Sequence, residues 1–237
     1  MTPWPGTFEM TIHHRFGTIE NGISDLYGIY APSNIQLGVQ YGITDRLMAG
    51  FATEKNNKLQ RFYAKYAVLK QTMSGKIPVS VSVLGNATID ARDEEAFGTS
   101  YETTDRLSYF TQVIIARKFS DRLSLQIAPS YAHFNAVDST LQHDRIGLMA
   151  GGRLKVTQSL SAIFEYHQPF KINDLRDYMQ DTEPGVALGI EIGTSTHAFQ
   201  VFATNYKGIV PQQNYVKNTN EFDSEGILLG FNITVRL

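Results

Sequence analysis

The chain has 237 residues, of which 42% are hydrophobic and 19% charged, and its net charge is −2. Such a composition can bury a core, which excludes a disordered chain, and it provides no basic field that would attract nucleic acid. The absence of cysteine excludes disulfides, thiolate metal sites and cysteine nucleophiles. No apolar run approaches the about 18 residues that a membrane-spanning helix needs. At this length an all-β barrel is one domain, so we assign residues 1–237 to a single domain.

Alternation of apolar and polar residues with period two recurs along the whole chain, in segments of about ten residues. Transmembrane β-strands have this pattern, because they direct one side chain to lipid and the next to a polar lumen. In chain order the predicted strands are residues 7–16, 33–43, 47–54, 59–69, 78–89, 107–119, 123–134, 145–156, 160–167, 185–193, 197–205 and 227–236. Residues 107–119 carry apolar side chains on both faces, so the facing of that strand stays open.

The connections between these strands alternate between short and long. Five are tight, namely residues 44–46, 71–77, 120–122, 157–159 and 194–196. The others are mostly longer, namely residues 17–32, 55–58, 90–106, 135–144, 168–184 and 206–225. Outer-membrane barrels have short periplasmic turns and longer extracellular loops. We therefore predict an all-β protein, a 12-stranded antiparallel transmembrane β-barrel in the bacterial outer membrane.

Four stretches carry a resemblance to a known family. They are residues 13–17 (HHRFG), 41–47 (YGITDRL), 65–71 (KYAVLKQ) and 117–125 (RKFSDRLSL). They resemble a family of Bacteroidota outer-membrane β-barrels of uncharacterised function, and the similarity runs over nearly the whole chain. The resemblance implies the barrel fold and the outer membrane, and it supplies no catalytic residues.

The two ends of the chain bear on export. The last strand resembles an outer-membrane assembly signal, but it ends in Leu237 where an aromatic residue is usual. Residues 1–10 lack the basic start and apolar stretch of a signal peptide. Because an outer-membrane protein must be exported, we expect the numbering to be that of a mature or trimmed chain.

Side chains that face the lumen are the candidates for function. If the apolar partners in each strand face lipid, the pore-lining set is His13, Arg15, Gln36, Gln40, Tyr63, Lys65, Gln126, Arg153, Glu165, His167 and Glu191. Both signs of charge occur in this set, so cross-strand pairs can form, and we expect one between Arg153 and Glu165. At the seam between the first and last strands we expect Glu9 to pair with Arg236.

This interior favours a narrow channel for small polar solutes, surrounded by outer-membrane lipid. The alternative is a structural barrel with a filled interior that docks a protein partner within a larger envelope complex. A soluble lipid-binding barrel is the remaining interpretation. Extraction from cells by salt or alkali without detergent would favour that last one.

Little in the sequence indicates an enzyme or a metal site, and we expect no cofactor. No H-E-x-x-H, G-x-S-x-G or phosphate-binding glycine loop occurs. His13 and His14 are adjacent on a strand, so they point to opposite faces and cannot chelate one ion together. A barrel lipase would need a serine beside a lipid-facing histidine such as His14, and no serine can be placed there.

Acidic loops are weak candidates for a divalent cation. Oxygen ligands at such density can hold Ca²⁺, although solvated loop charge is the simpler interpretation. The first loop contains Asp90, Asp93, Glu94 and Glu95, and the second contains Asp174, Asp177, Asp181 and Glu183.

Overall fold

A computed structural model describes residues 4–172 and 179–237. Within these residues, twelve antiparallel strands, β1 to β12 in chain order, close into one barrel in which β1 pairs with β12. Their bounds are Phe8–Thr18, Asn34–Gly42, Leu47–Glu54, Leu59–Leu69, Ser80–Asp90, Leu107–Lys118, Leu123–Phe134, Asp144–Lys155, Leu160–Phe170, Gly185–Gly193, His197–Thr204 and Leu228–Arg236. The predicted 12-stranded antiparallel barrel is confirmed.

The outer wall of the barrel is apolar and uncovered. Leu37, Phe62, Leu148, Leu188 and Val201 all point outward and are between 41% and 54% exposed. In water, each such side chain would forgo about 25 cal/mol for every Å² of apolar surface left unburied. A hydrocarbon environment removes that penalty, so the alternation of the strands suits a bilayer.

The register settles the facing of β6. Phe110 is paired with Asn86 of β5 and with Ala132 of β7, and both of those neighbours are buried in the barrel. Directly paired residues share one face of a sheet. Phe110 and, by the period of two, Ile114 therefore point inward, whereas Val113 points to the lipid side.

The two rims of the barrel differ. At the rim that holds both termini the turns are tight, and we call it the short-turn rim. There the Thr44 hydroxyl oxygen accepts hydrogen bonds from the amides of Arg46 (3.2 Å) and Leu47 (3.0 Å). Ser120 repeats this arrangement in the turn between β6 and β7. Hydroxyl side chains that bond their own turn in this way fix where each hairpin reverses.

The opposite rim, which we call the long-loop rim, carries the longer connections. They contain 3₁₀ turns at Gly22–Asp25, Asn56–Lys58, Glu94–Phe97 and Thr103–Arg106. Asn57 has a φ of 58°, in the left-handed region that asparagine tolerates better than most residues. Among the described residues, no helix is long and apolar enough to cross a membrane.

The connection between β11 and β12 enters the barrel. Residues 205–220, which we call the inserted segment, contain the short helix α1 (Pro211–Val216), and α1 packs on the inner face of β6 to β9. Val210, Gln212, Tyr215 and Val216 are at most 1% exposed. The sequence predicted an outer loop for residues 206–225, and for this part of it the prediction is wrong. Its apolar side chains cover inward-facing residues instead of extending into solvent.

Candidate functional site

Hydrogen bonds at the seam follow the wall of the lumen. Arg236 donates from Nε and Nη2 to Glu9 Oε1 at 3.0 and 2.8 Å, which joins β12 to β1. Gln40 of β2 donates to the other Glu9 oxygen at 2.7 Å, and the Tyr63 hydroxyl of β4 donates to Gln40 at 3.2 Å. The four side chains therefore lie against the wall near the short-turn rim and do not cross the bore.

A second chain of contacts follows the wall from β8 to β1. Arg153 Nε donates to Glu191 Oε1 at 2.8 Å, and Gln200 donates to the other oxygen of Glu191 at 2.9 Å. Asn232 donates to Gln200 at 2.9 Å and accepts from Arg15 Nη1 at 3.1 Å. Every link joins adjacent strands or strands one apart, so no link of this network crosses the bore.

The expected pair between Arg153 and Glu165 is wrong. The register places Ile163 opposite Arg153, and it aligns Ser161 with Glu191. Because the serine is small, Arg153 reaches across β9 to the Glu191 carboxylate. Glu165 instead lies 2.5 Å from His167 Nε2 and accepts a hydrogen bond from the Tyr206 hydroxyl at 3.1 Å.

The other predicted lumen residues occupy inward positions as well. His13 is paired with Gln36 and with Asn232, Lys65 with Met48, and Gln126 with Gly151, and these neighbours point into the barrel. Gln126 Nε2 lies 3.7 Å from the sulfur of Met149. That these side chains line a conducting pore stays a prediction.

Three charged lumen residues were missed from the sequence. Glu54 is 2% exposed, and Arg145 is 1% exposed with an oxygen of the Asp181 carboxylate 3.7 Å from its Nη1. Arg61 places its guanidinium 4.5 Å from the centre of the Tyr63 ring. The two-residue period of the strands could have identified all three. Each lies an even number of positions along its own strand from a residue that was assigned to the lumen or that pairs with such a residue.

The inserted segment is fastened to the wall at three places around the barrel. The Glu54 carboxylate at the end of β3 accepts a hydrogen bond from the Val210 amide at 2.9 Å. Three strands further along the wall, Gln212 donates to the Ser108 hydroxyl of β6 at 3.0 Å. On β9, which lies opposite β3 in the closed barrel, His167 Nδ1 lies 2.9 Å from the Tyr215 hydroxyl. The segment therefore narrows the half of the lumen nearest the long-loop rim.

Tyr215 is the largest fully buried side chain of this segment. Its ring lies 5.6 Å from Phe110 and meets the His167 ring edge-on at 5.4 Å, and its hydroxyl lies 2.9 Å from His167 Nδ1. Gly147 makes room for it, because a Cβ there would come within 2.2 Å of the tyrosine ring. Burial raises the pKa of Tyr215 to about 12, so the phenol keeps its proton.

The acidic loop residues that the structure describes do not form a cation site. Both oxygens of Asp90 are taken by Arg92, at 3.0 Å from Nε and 2.7 Å from Nη2, while Asp93 lies 3.7 Å from Lys58. These hydrogen bonds raise the pKa of Arg92. In the part of the chain that the structure describes, no group of three or more His, Asp or Glu residues could hold a metal. Asp174 and Asp177 lie outside it.

Comparisons with known proteins agree with the barrel architecture. Residues 1–237 match the family described as "Membrane bound beta barrel domain" (DUF5777). The fold is similar to the NanC porin, with 10% identity, a TM-score of 0.58 and coverage of 96% of this chain and 98% of that one. It is also similar to the KdgM porin, with 8% identity, a TM-score of 0.54 and coverage of 97% and 98%. No curated protein matches the sequence.

At such identities the similarity to the two porins establishes the fold alone. A membrane-bound barrel with the porin fold is an outer-membrane protein, and its strands therefore contact outer-membrane lipid. The short-turn rim then corresponds to the periplasmic side and the long-loop rim to the extracellular side.

Proposed function

The chain belongs to this family of membrane-bound β-barrel domains, and on that premise we propose that it is a channel for small polar solutes. The inserted segment narrows the extracellular half of its bore. The observation that carries the proposal is the course of the hydrogen bonds in the periplasmic half. There, Arg153 pairs with Glu191 and Arg236 pairs with Glu9, and both pairs lie along the wall.

The width of the barrel fits this role. Barrels of eight strands are just filled by their own side chains, whereas those of 16–18 strands leave an aqueous channel. Twelve strands lie between these limits, so the course of the long side chains decides whether water passes. Because the long polar side chains of the two hydrogen-bonded networks follow the wall, we expect water to occupy the centre and the inserted segment to be the narrowest point.

The charges of the lumen favour polar solutes over ions of one sign. Arg153 and Arg236 are both matched by carboxylates in contact, so these two charges of the periplasmic half are paired and lie beside amide groups. A wall of this kind offers hydrogen bonds without a strong field of either sign. A KdgM porin of similar fold is described in complex with oligogalacturonate, at 8% identity and a TM-score of 0.52. Saccharides are therefore the first solutes to test.

We propose transport and not catalysis. Glu165, His167 and Tyr215 form a row of hydrogen-bonding groups that resembles an acid–base array. Tyr215 is 1% exposed, however, and it belongs to the segment that fills this part of the lumen. The row therefore serves to hold the segment in place.

Liposome swelling tests the proposal. Proteoliposomes that contain the full chain are placed in sugars of graded size, beside a variant in which residues 207–219 are replaced by a short Gly-Ser linker. We expect the full chain to admit only the smallest sugars and the variant to admit larger ones. If neither protein admits any sugar although both are folded, the channel proposal fails and the partner-docking barrel takes its place.

A further inference from the structure

A cavity of about 250 Å³ opens at the extracellular rim, between the β3–β4 connection and the inserted segment. Apart from Gly208, every described residue that lines it has an amide, hydroxyl or ammonium side chain. The lining includes Asn56 and Asn57 on one side and Gln213 and Asn214 on the other. Pockets for drug-sized ligands measure about 300–1,000 Å³, so this one suits a smaller solute.

Most of the described amide side chains that line the cavity are free to bind, the exception being Asn218, which donates to the Glu183 carbonyl at 3.2 Å. Within the described residues, the side chains of Asn56, Asn57, Gln213 and Asn214 make no hydrogen bond to the protein, yet Asn214 is only 6% exposed. Buried polar groups are hydrogen-bonded as a rule. Asn214 presents its amide to the cavity without a protein partner, so a solute in the cavity can supply that partner.

The chemistry of the lining favours one class of solute. Each amide offers two donors and an acceptor, which matches hydroxyl groups that also donate and accept. Lys207 and Lys217 add ammonium groups, and no acidic side chain among the described residues lines the cavity. The Lys217 ammonium lies 4.6 Å from the ring of Phe134, where burial lowers its pKa.

We propose that this cavity is a binding subsite for one sugar ring, with preference for a ring that carries a carboxylate. It lies at the extracellular mouth of the bore and is formed in part by the inserted segment, so a solute would meet it on the way into the bore. The inference rests on the proposed function, because it names the class of solute that the channel takes. Binding is measured apart from permeation, so that the failure of one is distinguishable from the failure of the other.

Isothermal titration calorimetry on the full chain in detergent gives the test, with galacturonic acid and galactose as probes. We expect both sugars to bind, and galacturonic acid to bind more tightly. The double variant Gln213→Ala, Asn214→Ala loses two hydrogen-bonding groups and should bind both sugars about tenfold more weakly. Lys207→Gln should reduce only the preference for galacturonic acid.

Two further variants keep the test decisive. Asn21→Ala removes an exposed amide from the β1–β2 connection and should bind like the unchanged chain. Thr219→Trp fills the cavity from its exposed edge, and it tests the site even if the double variant fails to fold. Undiminished binding in Thr219→Trp, or no binding of either sugar to the folded full chain, would overturn the proposal. Equal binding of the two sugars would overturn the carboxylate preference.

Discussion

Replacement of Tyr215 by alanine should release the inserted segment from the bore. The ring packs on Phe110 and His167 and fits against Gly147, and its hydroxyl contacts His167 Nδ1. The substitution removes all of these contacts at once. It leaves the backbone ladders of the barrel untouched, because Tyr215 belongs to α1 and to no strand.

The magnitude follows from the burial of the ring. Truncation of a buried aromatic side chain to alanine costs about 3–5 kcal/mol, and Tyr215 is 1% exposed. Because the strands keep their hydrogen bonds, this cost falls on the inserted conformation of the segment and not on the barrel. At 1.4 kcal/mol for each factor of ten, the ratio of released to inserted segment should rise at least about 100-fold.

Hydrogen exchange of the full chain in detergent measures this shift. We expect the backbone amides of residues 205–220 to lose protection in Tyr215→Ala, while the strand amides keep theirs. Tyr109→Ala is the matched control, since Tyr109 precedes Phe110 on β6 but faces lipid and is 39% exposed. Unchanged protection of residues 205–220 in Tyr215→Ala would refute the anchoring role of the ring.

Further predictions concern the wall, the seam and the loops. Leu188→Arg places a charge on the lipid-facing side and should cost about 2–4 kcal/mol if it lies at the midplane; a neutral effect on folding into lipid would contradict the assigned facing. Glu9→Gln should cost no more than about 1 kcal/mol in the same assay, because the pair with Arg236 is partly hydrated. Glu54→Gln weakens the acceptor for the Val210 amide, so exchange at that amide should become faster. Chelation with EDTA should leave the thermal midpoint unchanged, since Arg92 occupies Asp90.

The strands could be predicted from the sequence because one physical constraint acts on each of them. A strand between lipid and a polar lumen must alternate, and a shift by one residue would place every apolar side chain on the wrong face. The alternation of Ile35, Leu37 and Val39 with polar neighbours therefore gave the extent and the facing of β2 directly. It left the facing of β6 open, because Phe110 points inward there to receive Tyr215.

The inserted segment could not be predicted in this way. Its composition is that of a loop, and alternation does not say whether a loop passes over the barrel or into it. Residues 206–216 do contain Tyr206, Val210, Tyr215 and Val216, which is more apolar surface than a solvated loop usually carries. That excess is the one local signal of an interior position, and it becomes convincing only beside the inward-facing Phe110.

To predict which side chains pair within the lumen, one needs both the strand register and the sizes of the side chains. Arg153 and Glu165 lie on adjacent strands, so adjacency alone favoured them as a pair. The structure instead joins Arg153 to Glu191, two strands away, because Ser161 is too small to block the path. Long side chains in a barrel can thus pair with residues two strands away along the wall. Counting positions along two neighbouring strands does not predict such pairs.

Single-channel current in a planar bilayer tests the central claim most directly. The full chain is compared with the variant that replaces residues 207–219 by a short Gly-Ser linker. We predict discrete current steps from the full chain and larger steps from the variant, since both share the wall and differ only at the constriction. Absence of current from both folded proteins, or steps of equal size from the two, would contradict a bore that the inserted segment narrows.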